Sequence, residues 1–283
     1  LNFGQNIIEL FRLPLLSPRN FHQYVTVEGK ENVEAALEKK KGCILLAMHS
    51  GSWEMASTTC SMMGFSYKFF AKEQARHLKL DALLNSYRSC GGTVVLTRGT
   101  GTRDFIRAVQ NNELVSIVVD QGGRDGVLVP FFGRNARLSA GAIRIGLKHD
   151  AAICFSIITR EKGAQHRMII NKPFDLIKTG DLEKDVEENL KRIVKLMEQY
   201  ITLRPSEYMW FYKVWKFSNE ENIAILSDGK TGHLRQSQNV GAAVEKALKG
   251  RNIVPKTQMI TISFKNNLAR NVLNVMALVC PPV

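Results

Sequence analysis

The apolar positions of this chain fall into short unbroken runs, separated by longer segments in which apolar residues recur at helical spacing. Runs of about four to eight apolar residues read as buried strands, and stripes recurring every third or fourth position read as amphipathic helices. On that basis residues 24–27 predict a short strand, and residues 28–40 a helix with Val33, Ala36 and Leu37 on one face. Cys43-Ile44-Leu45-Leu46-Ala47-Met48 predicts a buried strand that stops at His49. Ser50-Gly51-Ser52 then gives a turn and a helix start, followed by Trp53, Glu54, Met55 and a helix of small residues. Further strands are predicted over 66–71, 93–96, 114–119, 151–160 and 167–170, and helices over 75–89, 102–110, 139–148 and 182–203, with 127–132 short and extended. Strands alternating with helices of crossover length specify an α/β fold, a central and largely parallel sheet flanked by helices. Ligands of such sheets gather beyond the carboxyl ends of the strands, which puts the stretch after Met48 first among candidate sites.

The leading segment brings Ile7, Ile8, Leu10, Phe11 and Leu15 close together with few charges, and Pro14 limits the helix. Two readings stand for it: a helix packed on the core, and a helix lying in a membrane interface. At the other end, Ser218-Asn219-Glu220-Glu221-Asn222 is a polar break. It divides the chain into a domain over 1–217 and a second segment over 218–283. The second segment carries a strand over 223–226, a helix over 235–249 and a strand over 257–264. It is too short for a good core of its own and reads as the first βα elements of a second α/β domain. With Leu1 at its front and an apolar tail ending in Pro281-Pro282-Val283, the chain reads as a fragment.

The formal net charge of +13 over 283 residues changes the picture, because it calls for an anionic partner. Lipid headgroups and phosphorylated molecules fit, and an anionic membrane surface is expected. No nucleic-acid module is present and the basic residues are spread along the chain, so no nucleic-acid partner is expected. The five cysteines have no metal-ligand or redox spacing; several lie in apolar runs, as small core residues do. No stretch reaches about 18 consecutive apolar residues, the mark of a transmembrane helix.

His49 and Glu54 are the candidate catalytic pair. Their spacing does not put them on one helix face, and it is not the arrangement of a helical zinc site. With His49 at a strand end and Glu54 in the first helical turn, the chain can fold the carboxylate back toward the imidazole. A carboxylate on one ring nitrogen fixes the tautomer and raises the basicity of the other, which makes a general base for a hydroxyl. Ser50 and Ser52 are not in a nucleophile elbow and read as helix-capping residues.

His49-Ser50-Gly51-Ser52-Trp53-Glu54 resembles the His-x4-Asp/Glu signature of glycerolipid acyltransferases, and more closely its form in the bacterial lipid A lauroyl/myristoyl acyltransferase family. Gly42-Cys43-Ile44-Leu45-Leu46 resembles that family's lead-in to the histidine. Asp120-Gln121 and Val129-Pro130-Phe131-Phe132-Gly133-Arg134 resemble its middle blocks. Arg204-Pro205-Ser206-Glu207-Tyr208-Met209-Trp210-Phe211-Tyr212-Lys213-Val214-Trp215-Lys216 resembles its closing block. The resemblance covers residues 1–217. It implies transfer of a fatty acyl group from an acyl carrier protein or coenzyme A thioester to a hydroxyl of a membrane lipid, a lipid A precursor or a lysolipid. It also implies His49 as base with Glu54 as partner, no metal and no bound cofactor, and work at the cytoplasmic face of a bacterial inner membrane. The chain would be held there peripherally or by an anchor in a missing N-terminal segment.

Arg98 and Arg103 flank a glycine-rich loop before a helix, the setting of an anion site, and lead the substrate-binding candidates. Arg88, Lys72 and Arg124 also suit a phosphorylated acceptor or a phosphopantetheine arm. Lys72 stands where the family usually shows arginine. Asp120 and Gln121 read either as site residues or as a strand-end turn. Trp210 and Trp215 read equally as interfacial anchors and as core. In the second segment, Asp228-Gly229-Lys230-Thr231-Gly232-His233-Leu234-Arg235-Gln236 resembles the opening of a bacterial glycosyltransferase family related to the plant ELM proteins. The alternative is therefore a nucleotide-sugar-dependent glycosyltransferase whose front part is a non-catalytic lipid-binding module.

Overall fold

In chain order the first part of the molecule runs α1 (Asn2–Arg12), β1 (Val25–Glu28), α2 (Lys30–Glu38), β2 (Cys43–Ala47), α3 (Trp53–Met62), β3 (Tyr67–Phe70), α4 (Leu78–Arg88), β4 (Val94–Leu96) and α5 (Gly101–Gln110). It continues with β5 (Leu114–Val118), β6 (Val127–Phe131), β7 (Arg134–Leu138), α6 (Gly141–His149), β8 (Ala152–Arg160), β9 (His166–Ile170) and α7 (Leu182–Leu203). The computed structural model describes residues 2–71, 76–97, 101–263, 266, 268 and 271–272.

Seven strands form one sheet in the order β1-β9-β8-β2-β5-β3-β4. All neighbours are parallel except β8 and β9, which a short connection folds into an antiparallel pair. The near-continuous apolar run of β2 follows from its place: it pairs with β8 on one side and β5 on the other, and both faces of the sheet are covered. Ile44 and Leu46 pack into a core shared with Phe105 of α5, Ile143 of α6 and Leu190 of α7. Cys43 and Leu45, one residue out of phase, pack into a second core with Leu10 of α1, Val33 of α2 and Met55 of α3.

Two features differ from the sequence reading. The short extended stretch over 127–132 is β6, but it is followed by an unpredicted strand, β7, that pairs with it in an antiparallel hairpin from Val127–Leu138 to Phe131–Arg134. The second strand buries only Ala136 and Leu138, an alternation too sparse to stand out. The leading helix divides the two readings given for it. Leu10 joins the core, while Phe3, Ile7, Ile8 and Phe11 are exposed and the side chains turned inward near its start are Asn2 and Asn6.

The chain divides into two units, Leu1–Phe217 and Ser218–Val283. The second unit consists of β10 (Glu220–Ser227), α8 (Thr231–Lys249) and β11 (Val254–Thr261), with the two strands paired in parallel along their whole length. Its first strand runs longer than the apolar run over 223–226 predicts, because the ladder extends into the polar residues Glu220, Glu221 and Asn222, and its second begins at Val254, ahead of the predicted 257.

Candidate active site

β2 and β5 are parallel neighbours in register, Ala47 opposite Val118. The second residue beyond each strand is therefore brought beside its counterpart, and those residues are His49 and Asp120. The His49 Nδ1 lies 2.8 Å from Asp120 Oδ1, and the His49 backbone N–H donates to Asp120 Oδ2 at 3.0 Å. The carboxylate thus fixes both the ring and the backbone that carries it. Burial alone pushes the imidazole below its ordinary range. The Asp120 charge and hydrogen bond, helped by the Glu54 charge and opposed by Arg88, reverse that and leave the His49 pKa raised. Trp53 stands edge-on to the imidazole with ring centroids 5.3 Å apart.

The turn after His49 leaves room for Glu54 to fold back toward the ring, but its carboxylate is engaged elsewhere. Its two carboxylate oxygens accept from Arg88, Nε to Oε2 at 2.9 Å and Nη2 to Oε1 at 2.6 Å. The physical reason is reach: Glu54 sits in the first turn of α3, and the C-terminal end of α4 delivers a guanidinium fork that matches both oxygens at once. Burial opposes the charge on Arg88, but the hydrogen bond and charge of Glu54 outweigh it and raise the guanidinium pKa.

The turn between the strand and α3 is set from outside. Gly51 has φ +60°, and a Cβ there would lie 1.8 Å from the Ile158 carbonyl oxygen, so only glycine fits. Its N–H donates to the Glu207 carbonyl at 3.0 Å, the Met209 N–H donates to the His49 carbonyl at 2.9 Å, and Ser50 bridges Tyr208. The closing block of the sequence is thus laid along the histidine turn. Tyr208 in the same segment is buried; burial first, and then the nearby Asp120 carboxylate, push its phenol far up. From α1, Asn6 Nδ2 donates to the Gly51 carbonyl at 2.8 Å. Arg160, at the end of β8, donates to the same carbonyl at 3.2 Å.

His49, Glu54, Arg88 and Gln121 line one cavity of about 470 Å³ whose other walls include Phe69, Phe70, Ile7 and Met209. A histidine with one nitrogen engaged, an ion pair and an apolar wall in one cleft make a site that can deprotonate a hydroxyl beside a hydrocarbon chain. A smaller cavity of about 200 Å³ lies against α1 near Glu9, Arg12 and His166, and His49 does not line it.

Of the residues singled out in the sequence, the structure brings together His49, Glu54, Arg88, Asp120 and Gln121. Arg103 is exposed on the first turn of α5, and Arg124 is exposed in the turn before β6. Lys72 and Arg98 lie outside the described residues. Trp210 is exposed, whereas Trp215 is partly buried and donates from Nε1 to the Phe131 carbonyl at 3.2 Å. The local reading misses Tyr208 and Arg160. Tyr208 stands inside a recognised block without a chemical cue, and Arg160 ends an apolar strand with no motif around it. Among the described residues no helix is long and apolar enough to cross a membrane.

The bacterial lipid A biosynthesis acyltransferase family matches residues 1–217. The chain belongs to that family. The match runs from α1 through the block that closes over His49. Among curated proteins it is similar to a phosphatidylinositol mannoside acyltransferase of Mycobacterium tuberculosis (strain CDC 1551 / Oshkosh), 27% identical over 159 residues, 54% of this chain and 50% of the relative. It is also similar to a protein of the same description from Mycolicibacterium smegmatis (strain ATCC 700084 / mc(2)155), 28% identical over 153 residues, 51% of this chain and 49% of the relative. The chain spans about half the length of the curated relatives it matches.

Proposed function

We propose that this acyltransferase-family chain moves a fatty acyl group from an acyl carrier protein or coenzyme A thioester to a hydroxyl of a membrane glycolipid, with His49 as general base. The observation that carries the reading is the 2.8 Å contact of His49 Nδ1 with Asp120 Oδ1, which leaves Nε2 for the substrate. In this mechanism Nε2 takes the acceptor hydroxyl proton as the oxygen attacks the thioester carbonyl carbon. The tetrahedral oxyanion then collapses, the C–S bond breaks, and the imidazolium returns the proton to the departing thiolate. The products are an ester and a free thiol. Asp120 holds the imidazole in the tautomer this requires and stabilises the imidazolium. Gln121, on the cavity wall, supplies an amide donor for the oxyanion. The Arg88–Glu54 pair offers a guanidinium edge to an anionic headgroup or carrier arm.

The acceptor is a lipid A precursor or another sugar-bearing lipid. The family name supports the first, and the names of the mycobacterial relatives support a glycosylated lipid more broadly. The work would take place at the cytoplasmic face of a bacterial inner membrane, where carrier-bound thioesters and the lipid meet. Residues 218–283 are proposed to open a glycosyltransferase-like α/β domain. His233 Nδ1 lies 3.0 Å from Asp228 Oδ2, so two polar residues of its resembling motif are in contact.

The test is acyl transfer by the full-length protein, wild type beside His49→Ala. Each thioester is offered with a lipid A precursor, a phosphatidylinositol mannoside and a lysophospholipid, and products are read by mass. We expect a new ester that falls about 100- to 10,000-fold in the variant. Equal ester formation by both proteins would remove His49 from the chemistry.

A further inference from the structure

A bulky residue is displayed in an unusual place. The β6–β7 hairpin turns through Phe132 and Gly133, since Phe131 pairs directly with Arg134. Their φ angles are +48° and +73°. Two positive φ values make a type I′ turn, whose first central position is taken by Asn, Asp or Gly, and a phenylalanine there is a backbone outlier. The tip is nevertheless held, because the Phe132 N–H donates to Glu198 Oε1 at 2.5 Å. Its ring is exposed and lies 6.1 Å from the exposed ring of Trp210. Trp210 has its own polar edge tied down by a 2.7 Å bond from Nε1 to the Pro205 carbonyl. The next residue, Phe211, is 78% exposed, and its ring meets Phe3 of α1 at 6.3 Å. Phe3 and Ile7 are walls of the cavity that holds His49. An apolar rim therefore runs from the hairpin tip to the candidate active site.

We propose that this rim, from Phe132 through Trp210 and Phe211 to Phe3, is the surface on which the acyltransferase unit seats on an anionic lipid bilayer. Three observations select lipid as the occupant. Tryptophan with an anchored polar edge, flanked by phenylalanines, is the kind of side chain that settles at a headgroup–hydrocarbon boundary. Lys213 and Lys216 are exposed shortly after Phe211, and the chain carries a net charge of +13, both complementary to anionic headgroups. The rim also ends in the cavity that a membrane lipid must enter for its hydroxyl to reach His49. The inference deepens the proposed acyl transfer and rests on it, but its test is separate.

That test is sedimentation of the full chain with vesicles of phosphatidylcholine, with and without phosphatidylglycerol. Phe132→Asn is the informative variant, because asparagine suits the left-handed turn and the hairpin is kept or strengthened. We expect its thermal midpoint to match or exceed that of the wild type while partition onto mixed vesicles falls about tenfold, the scale of one buried aromatic side chain. Phe132→Trp retains partition, and Phe211→Ser added to Phe132→Asn lowers it further. His49→Ala binds vesicles as the wild type does while losing acyl transfer, so failure of docking and failure of the acyltransferase reading are told apart. Wild-type partition by the Phe132→Asn, Phe211→Ser double variant at an unchanged midpoint overturns the proposal. So does a dimer that dissociates in that variant with no change in partition, which would make the occupant a second copy.

Discussion

Asp120 grips His49 twice, at the ring through Oδ1 and at the backbone N–H through Oδ2. A single carboxylate therefore sets the tautomer, the ring orientation and the path of the chain at the strand end. Asp120→Asn keeps the shape, loses the charge and can leave the wrong ring nitrogen protonated. We expect acyl transfer to fall about 100- to 10,000-fold, in line with loss of an oriented general base. The pH profile gives the sign. A base works when neutral, and Asp120 is the main influence that raises the His49 pKa against burial. Removing its charge lowers that pKa, so the acidic limb of kcat/KM against pH moves to lower pH. Glu54→Gln moves the limb the same way but less, since Glu54 acts on the ring only by charge at a distance. A limb that shifts in Glu54→Gln and stays fixed in Asp120→Asn would restore Glu54 as the partner of the imidazole.

The Glu54–Arg88 pair makes a prediction about stability. Both side chains are nearly enclosed, with 9% and 14% exposure. Removing one partner leaves the other charge buried and uncompensated, which costs about 3–5 kcal/mol. Replacing both by uncharged groups of similar shape costs much less, because the desolvation of the two ions disappears with their attraction. Urea unfolding should thus show Arg88→Met markedly destabilised and the double variant Glu54→Gln, Arg88→Met partly recovered, a coupling of about 1–3 kcal/mol. Additive single and double variants would mean that the fork seen between α3 and α4 contributes nothing to the folded state.

The contrast between these two carboxylates explains how much of the site could be read from sequence. The apolar run ending at His49 locates the sheet centre, and the polar residues after it locate the site, because β2 must be covered on both faces and chemistry is left only at its end. The same logic applies to the strand ending before Asp120. That the two strands are neighbours is a matter of sheet order, β2 beside β5 with β3 and β4 lying outward, and no local spacing carries it. Glu54 is near His49 in sequence, and so draws the eye, but its carboxylate is captured by Arg88 from the next helix. Tyr208 and Arg160 are hidden for the same reason. They act across chain separations that only the closed fold brings to zero, whereas Gly51 is legible as a turn residue though not as the place where Ile158 leaves no room for a Cβ.

Glu9 on α1 carries the last prediction. Arg160 holds it with a fork, Nε to Oε1 at 2.7 Å and Nη2 to Oε2 at 2.6 Å, and His166 Nε2 lies 3.1 Å from Oε1. Arg160 in turn donates to the Gly51 carbonyl, so the cluster ties α1 to the sheet and to the histidine turn. Burial opposes the Glu9 charge, but the hydrogen bonds from His166 and Arg160 and the charge of Arg160 overcome it and hold the pKa down at about 2, against 4.5 ordinarily. The unfolded chain binds the proton more readily than the folded one in that window, so stability rises with pH across it. The contribution, about 3 kcal/mol, is fully present above pH 4.5 and is lost as pH falls through about 2. Glu9→Gln should therefore be less stable than wild type by roughly that amount at neutral pH. The gap should close as urea unfolding is repeated at successively lower pH. A constant gap down to about pH 2 would mean that the residue stabilises by packing alone, and that α1 is held on the sheet without help from the buried ion pair.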